Sequence, residues 1–181
     1  NGVEIPQRKY TILDFDNNII LRDRTRAVAK VITEYLHRLG RMSKTIVFCT
    51  TQRHALDLRD ELRALNVDMM QQDSNYIVRM TGDDAEGKAL LDDFTSVSEP
   101  FPGVATTSKL LTTGADTKCV KLIVLDAPIK SMTEFKQIIG RGTRLREDAG
   151  KTFFTILDFR GASNLFKDEE FDGVPYLDYW R

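Results

Sequence analysis

The sequence is poor in the residues on which metal centres and disulfide frameworks depend. It has two cysteines and two histidines among 181 residues, so a zinc site built from His and Cys ligands is close to excluded. Cys49 and Cys119 both lie in apolar runs, where a thiol behaves as a small buried side chain. Two such thiols indicate a reducing cytoplasm rather than an extracellular setting, and we predict no metal site.

Long hydrophobic runs and an excess of one charge are also missing. No apolar segment approaches the roughly 18 residues of a membrane span, so the sequence predicts a cytoplasmic protein without a membrane partner. The net charge is -1 and the pI about 6.2, which excludes the overall basic field of a stand-alone DNA-binding module. Any contact with nucleic acid must then come from a local patch, or from hydroxyl and backbone amide groups.

Short apolar, β-branched runs alternate along the chain with segments that have apolar residues at three- and four-residue spacing. The predicted strands cover residues 45–50, 76–81, 103–108, 120–126 and 152–159. The predicted helices cover residues 24–39, 54–65, 87–94 and 133–140. This alternation predicts an α/β fold, a mainly parallel twisted sheet with helices on both faces. We expect one domain over residues 1–181, with an arm or hairpin at 1–23 and an acidic, aromatic tail at 161–181.

The segment Gly82–Ala89, GDDAEGKA, has the spacing of a phosphate-binding loop but not its chemistry. The position after the lysine is Ala89, which has no hydroxyl to ligate the magnesium ion of a bound nucleotide. The carboxylates of Asp83, Asp84 and Glu86 would face a polyanion. We therefore interpret the segment as a polar turn after a strand, with an acidic first helical turn from about Asp83.

Polar residues follow three of the predicted strands at the points where the strands end. Ligands of open α/β sheets bind beyond the carboxyl ends of the strands, so these residues are candidates for contacts with nucleic-acid phosphates. The alternative is that they cap the helices that follow. The residues concerned are Thr50 and Thr51, Thr81 and Gly82, and Thr107 and Ser108, with a further polar cluster at 112–116.

The segment QIIGRGTRLRED, residues 137–148, carries three arginines within six residues. Arginine keeps its charge and presents a planar fork of donors, as the stabilisation of a transferring phosphoryl group requires. A basic cluster taken by itself is more often a solvated surface. Here the spacing Gln-x-x-Gly-Arg-x-x-Arg brings Arg141 and Arg144 near each other beside Gly140, where a ligand can approach closely.

Four segments, in the expected order, resemble motifs of superfamily 2 helicases and translocases. TIVFCTTQRHA resembles motif IV, RMTGDD the short motif after the next strand, TTSKLLTTGAD motif V and QIIGRGTR motif VI. The resemblance extends over residues 24–160 and is to the second of two RecA-like motor domains, which implies a three-layer fold of the P-loop NTPase type. ILDFRGASNLF and the later EFDG most resemble the motor (R) subunit of type I restriction enzymes, followed by type III restriction and excision-repair helicases.

The resemblance also implies roles for particular residues. Arg144 would be an arginine finger that reaches the γ-phosphate of ATP, Arg141 would support it, and Gln137 would link the site to the domain interface. The residues that would lie beside the nucleotide are Gly114, Asp116 and Gly140. The residues that would hold the backbone of one DNA strand are Thr50, Thr51, Thr81, Gly82, Thr107 and Ser108. Thr113 departs from the pattern, since many family members have arginine there.

ATP would be shared with a first motor domain, which in this family carries the phosphate loop and the acidic box that binds Mg²⁺. Asp126-Ala127-Pro128 is not that box, because the second carboxylate is missing. We therefore expect this fragment to be inactive alone and to belong to an ATP-dependent type I site-specific deoxyribonuclease. Its partners would be the first RecA-like domain, double-stranded DNA, and modification and specificity subunits. Two alternatives stay open: the motor half of another superfamily 2 DNA helicase, and a non-catalytic docking module for nucleic acid or protein.

Overall fold

The computed structural model describes residues 22–108, 119–140 and 153–165. Five strands are present in this part of the chain: β1 (Thr45–Cys49), β2 (Ile77–Arg79), β3 (Val104–Thr107), β4 (Leu122–Asp126) and β5 (Thr155–Asp158). They form one sheet in the order β2-β3-β1-β4-β5, in which every pair of neighbours is parallel. The four chain connections therefore all cross over the sheet, as in α/β folds.

Seven helices accompany the strands within the described ranges. They are α1 (Arg22–Leu39), α2 (Gln52–Leu65), α3 (Val67–Gln72), α4 (Ala85–Ala89), α5 (Leu91–Thr95), α6 (Met132–Ile139) and α7 (Ala162–Leu165). None of these helices is both long enough and apolar enough to span a membrane.

Helices cover both faces of the sheet, which explains why β1 and β4 are apolar at successive positions rather than at alternate ones. Every residue of both strands is buried. One hydrophobic core lies under α1 and α2 and includes Ile32, Leu36, Ala55, Leu58 and Leu62. The other lies under α5 and α6 and includes Phe94, Phe135, Ile138 and Ile139.

The predicted α/β fold with a parallel sheet is confirmed, and each predicted strand segment contains an observed strand. Two helical segments differ from the prediction. The segment 87–94 is not one helix but two short ones, α4 and α5, separated at Leu90. The short helix α3 was not predicted. Of the predicted arm at 1–23, Arg22 and Asp23 begin α1. Of the predicted tail at 161–181, Gly161 precedes the helix Ala162–Leu165. Residues 1–21 and 166–181 lie outside the described residues.

The segment Gly82–Ala89 consists of a turn, which is closed by its own contacts, and the helix α4. The Asp84 carboxylate caps α4 by accepting a hydrogen bond from the N–H of Gly87 at 2.9 Å. Arg79, at the end of β2, pairs with Asp84 at 3.0 Å and with Asp83 at 3.4 Å. A Cβ at Gly87 would lie 1.9 Å from the carbonyl oxygen of Arg79, so α4 packs on β2 at a distance that only glycine allows. The interpretation as a polar turn is confirmed, although the helix begins two residues later than predicted.

Candidate functional site

The crevice between β1 and β4 is where the fold itself favours a ligand. The two strands are neighbours, with Cys49 opposite Asp126 at their carboxyl ends. The helix after β1, α2, packs on one face of the sheet, and the helix after β4, α6, packs on the other. Ligands of open α/β sheets bind where neighbouring strands send their connections to opposite faces. A site is therefore expected at the carboxyl edge of this pair.

Asp126, the last residue of β4, is a fully buried carboxylate at this edge, and it has basic partners from three other elements. Its Oδ2 lies 3.1 Å from Nη1 of Arg24 in α1 and 3.1 Å from Nε2 of His54 in α2. Its Oδ1 pairs with Nη2 of Arg24 and lies 3.3 Å from Nε of Arg160, which follows β5. We call these four residues the Asp126 cluster.

Asp126 is ionised in the folded chain. Burial raises the pKa of its carboxyl, but the close contacts with His54 and Arg24 lower it by a larger amount, so the pKa lies below its ordinary value. The same carboxylate affects Cys49, the residue opposite it in β1. Burial, together with the nearby Asp126 charge, raises the pKa of this thiol well above its ordinary value. Cys49 is therefore an inert buried side chain rather than a nucleophile.

The hydrogen bond that His54 accepts from Thr50 places the ring proton on the nitrogen that faces Asp126. The backbone N–H of Thr50 donates to His54 Nδ1 at 3.2 Å. A ring nitrogen that accepts a hydrogen bond from an amide carries no proton, so the proton of the neutral ring is on Nε2. The His54 side chain is 1% exposed, so neither contact is open to solvent. His54 thus connects the buried carboxylate with the backbone of Thr50.

Thr50 and Thr51 form the turn that leaves β1, and both are half-buried. The Thr50 hydroxyl donates to the backbone carbonyl of Asp126 at 3.4 Å. The Thr51 hydroxyl caps α2 by accepting a hydrogen bond from the N–H of His54 at 3.0 Å, which is what the capping alternative predicts. Capping uses an oxygen lone pair and leaves the hydroxyl proton for another acceptor. Thr51 could therefore cap α2 and also donate a hydrogen bond to a DNA phosphate.

The remaining residues predicted to contact DNA also lie at this edge, because β2, β3 and β1 are neighbours and parallel. Gly82 is exposed and Ser108 is half-buried. Thr81 and Thr107 are fully buried. The Thr81 hydroxyl donates to Asp83 at 2.5 Å, and the Thr107 hydroxyl has no hydrogen-bond partner in the described part of the chain. The structure thus divides the predicted DNA contacts into an accessible set and a covered pair.

The structure describes only part of the predicted ATP site, namely α6 and the residue after it. Ser131 caps α6 by accepting a hydrogen bond from the N–H of Glu134 at 3.1 Å. The apolar face of α6 packs in the second core, while Gln137 is exposed. Gly140 ends the helix and is half-buried. The other residues predicted for this site, Arg141, Arg144, Gly114 and Asp116, lie outside the described residues, so their roles stay predictions.

The described residues suit a supporting part in a nucleotide site. The exposed amide of Gln137 offers both a donor and an acceptor to a polar ligand such as ATP. Across residues 22–108, 119–140 and 153–165, no group of three His, Cys, Asp or Glu side chains is arranged to hold a metal ion.

Comparison with known proteins identifies the family to which the chain belongs. Residues 27–146 match the family described as the helicase conserved C-terminal domain. The chain belongs to this family. It is 51% identical over 175 residues to the type I restriction enzyme EcoAI endonuclease subunit of Escherichia coli, a match that covers 97% of this chain and 22% of that protein.

Solved structures agree with this assignment. A fragment described as an HsdR subunit of a type I restriction enzyme from Vibrio vulnificus YJ016 has a TM-score of 0.82 and 46% identity, covering 85% of this chain and 30% of that one. Domain 2 of the DEAD-box helicase Mss116p bound to an RNA duplex has a TM-score of 0.56, and the match covers 76% of this chain and 50% of that chain. At 17% identity, this second match shows the RecA-like helicase fold alone. The predicted resemblance to the second motor domain of superfamily 2 proteins, and to type I R subunits, is confirmed.

The Asp126 cluster was not predicted from the sequence. Asp126 was considered only as a candidate acidic box, and His54 and Arg24 had no predicted role. One signal was present: an aspartate that directly ends the apolar run Leu122–Leu125 must be buried and therefore needs partners. The sequence does not say which basic residues those partners are.

Proposed function

We propose that this chain is the C-terminal motor domain of an ATP-dependent DNA translocase, the R subunit of a type I restriction enzyme. It would thus be part of an ATP-dependent type I site-specific deoxyribonuclease. The observation that carries the proposal is the 51% identity with the EcoAI endonuclease subunit over 97% of this chain. The family match and the five-stranded parallel sheet support it, since they supply the scaffold of a helicase motor domain.

The proposed ATP site is completed across an interface. The first RecA-like domain of the parent chain would supply the Walker A loop and the Walker B carboxylates that bind ATP and Mg²⁺. Arg144 would donate to the transferring phosphoryl group and Arg141 would hold that side chain in place, because a guanidinium keeps its charge in a dry cleft. The exposed Gln137 would contact the facing domain. The residues proposed beside the nucleotide are Gly114, Asp116 and Gly140.

Double-stranded DNA is proposed to bind along the carboxyl edge of the sheet. Short neutral donors at this edge would hold phosphates without reading bases, which a translocase that passes over any sequence requires. The accessible donors are Thr50, Thr51, Gly82 and Ser108. Thr81 and Thr107 are fully buried, so a direct contact from either hydroxyl requires the covering residues to move. Opening and closing of the cleft with the nucleotide state would alternate the grip of the two motor domains.

The test is ATP hydrolysis by the complete R subunit, assembled with its modification and specificity subunits, in an Arg144→Ala variant. Loss of an arginine finger lowers the hydrolysis rate by about 10³-fold or more, while ATP affinity changes little. Arg38→Ala is the matched control, because Arg38 is exposed in the last turn of α1, at the opposite edge of the sheet. Hydrolysis by Arg144→Ala at the wild-type rate would refute the catalytic role. A wild-type subunit that binds DNA without any ATPase would favour the docking module instead.

A further inference from the structure

We infer that Asp126 and His54 are positioning residues for DNA binding: the buried carboxylate, acting through the imidazole, holds the Thr50–Thr51 turn in the shape that receives the DNA backbone. The inference rests on the proposed function, because DNA is the ligand that the turn would bind. It assigns a role to two residues that neither the motif pattern nor the predicted site includes.

The contacts form a closed circuit of three residues. Asp126 Oδ2 lies 3.1 Å from His54 Nε2, and His54 Nδ1 accepts a hydrogen bond from the N–H of Thr50 at 3.2 Å. The Thr50 hydroxyl donates to the backbone carbonyl of Asp126 at 3.4 Å, which closes the circuit. The turn after β1 is therefore tied to the end of β4 through both its backbone and its side chain.

The negative charge of Asp126 affects the tautomer of His54. A flip of the imidazole about its Cβ–Cγ bond would put the carbon Cδ2 in place of Nδ1 and leave the Thr50 N–H without its acceptor. The carboxylate beside Nε2 favours the tautomer with the proton on Nε2, which keeps Nδ1 free to accept the hydrogen bond from Thr50. The same ring lies in the first turn of α2, whose cap is the Thr51 hydroxyl. One orientation of His54 therefore sets the positions of both threonines.

The charge of the Asp126 cluster suits an anionic ligand at this edge. Two guanidinium groups, one carboxylate and a neutral ring leave one positive charge in a chain whose net charge is -1. The side chains of Arg24 and Arg160 are 33% and 21% exposed. Part of the positive charge is thus presented to solvent beside the turn, where it attracts phosphate.

Arg24 separates the structural and the positioning roles of Asp126. It contacts both carboxylate oxygens, so the buried charge keeps a partner when His54 is altered. His54→Gln keeps an amide donor that can reach Asp126, because the end of a glutamine side chain lies about where Nε2 does. It removes the acceptor for the Thr50 N–H. This variant breaks the last link of the circuit while it spares the fold.

The experiment is DNA-stimulated ATP hydrolysis by the complete R subunit, measured against the concentration of double-stranded DNA. Asp126→Asn and His54→Gln should each raise the DNA concentration for half-maximal rate by about tenfold, the equivalent of one hydrogen bond lost from the binding surface. The maximal rate at saturating DNA should stay within about twofold, since Thr50 and Thr51 are not among the residues proposed beside the nucleotide. The double variant should match the larger single effect, because both residues act in one circuit.

Val124→Ala, in the same strand, is the control for a merely structural role. It opens a core position and lowers stability, and it should leave the half-saturating DNA concentration unchanged. An unchanged half-saturation in His54→Gln, or additive effects in the double variant, would overturn the inference while the motor assignment stands. A wild-type subunit without DNA-stimulated hydrolysis would overturn both. If Asp126→Asn does not fold, His54→Gln alone decides the outcome.

Discussion

The two edges of the sheet both contain polar side chains with little access to solvent, but they arrange them differently. At the amino edge, the buried Lys44 donates to the backbone carbonyls of Pro102 at 2.8 Å and of Asp93 at 3.3 Å. Nearby, Arg41 contacts both oxygens of Asp68 at 2.9 Å. At the carboxyl edge, the Asp126 carboxylate is instead held entirely by side chains from other elements.

The two edges therefore have different roles. At the amino edge, the contacts of Lys44 with backbone carbonyls close loops onto the sheet and occupy its amine. The carboxyl edge combines a buried ionised group with half-buried hydroxyls and part-exposed guanidinium groups, which is the composition of a ligand site. We therefore expect changes at the amino edge to alter stability, and changes at the carboxyl edge to alter DNA binding.

The largest effect on stability is expected at the amino edge, from Asn66→Ala. Asn66 is fully buried, and its amide donates to the carbonyl of Leu62 at 2.7 Å and to the Thr33 hydroxyl at 2.9 Å. Its Oδ1 accepts a hydrogen bond from Arg41 at 2.9 Å. Leaving these groups without a partner should lower the free energy of unfolding by about 3 kcal/mol, as measured by urea denaturation.

Asn75→Ala is the matched control, because Asn75 is exposed at the same edge, and it should change the free energy of unfolding by less than about 0.5 kcal/mol. In the complete R subunit, neither variant should change the half-saturating DNA concentration. A large loss of DNA affinity in Asn66→Ala would break the division between the two edges.

A smaller effect is expected in the pH dependence of stability at each edge. The pKa of Asp126 is lowered in the fold, because the contacts with His54 and Arg24 outweigh the effect of burial. Its contribution is fully present above the ordinary pKa of aspartate and is lost as the pH falls through the folded pKa. The contribution of Asp126 to the free energy of unfolding should therefore decrease at acid pH.

Lys44 should give a response of the same sign, but in the alkaline range. Burial lowers the pKa of this amine, although Cys119 and Asp93 partly offset the effect. The unfolded chain then holds the proton more tightly than the folded chain, so stability rises with pH between the lowered and the ordinary pKa of lysine. The free energy of unfolding should be measured against pH for two variants. Asp126→Asn should reduce its change with pH in the acid range, and Lys44→Met should reduce its change with pH in the alkaline range. We call these two ranges the acid and the alkaline limb. Unchanged limbs would show that other groups, such as Asp158 with its lowered pKa, set the dependence.

Much of the fold could be predicted because its signals are local. The β-branched runs at residues 45–50 and 120–126 are long enough to identify buried parallel strands without knowledge of their neighbours. The turn after β2 was also predictable, since three carboxylates, and an alanine in place of the magnesium-binding hydroxyl, do not suit a phosphate loop. The short helix α3 was not, because six residues give too little periodicity to separate a helix from a loop.

The site was harder to predict because its residues are distant in the sequence. Arg24, His54, Asp126 and Arg160 come from four segments, and only the strand order brings them together. The solvent exposure of the threonines could not be predicted from the sequence either. Thr50 and Thr81 both follow strands and look alike in the sequence, yet the first is half-buried and the second is fully covered.

Hydrogen exchange of the complete R subunit, with and without double-stranded DNA, tests most directly whether the carboxyl edge is the ligand edge. We predict that the amides of residues 50–52, 82 and 108 exchange at least about tenfold more slowly when DNA is bound, because DNA contacts suppress local opening there. The amides of residues 40–44 and 73–76, at the amino edge, should exchange at unchanged rates. Slower exchange confined to the amino edge, or no change anywhere in this domain, would contradict the account.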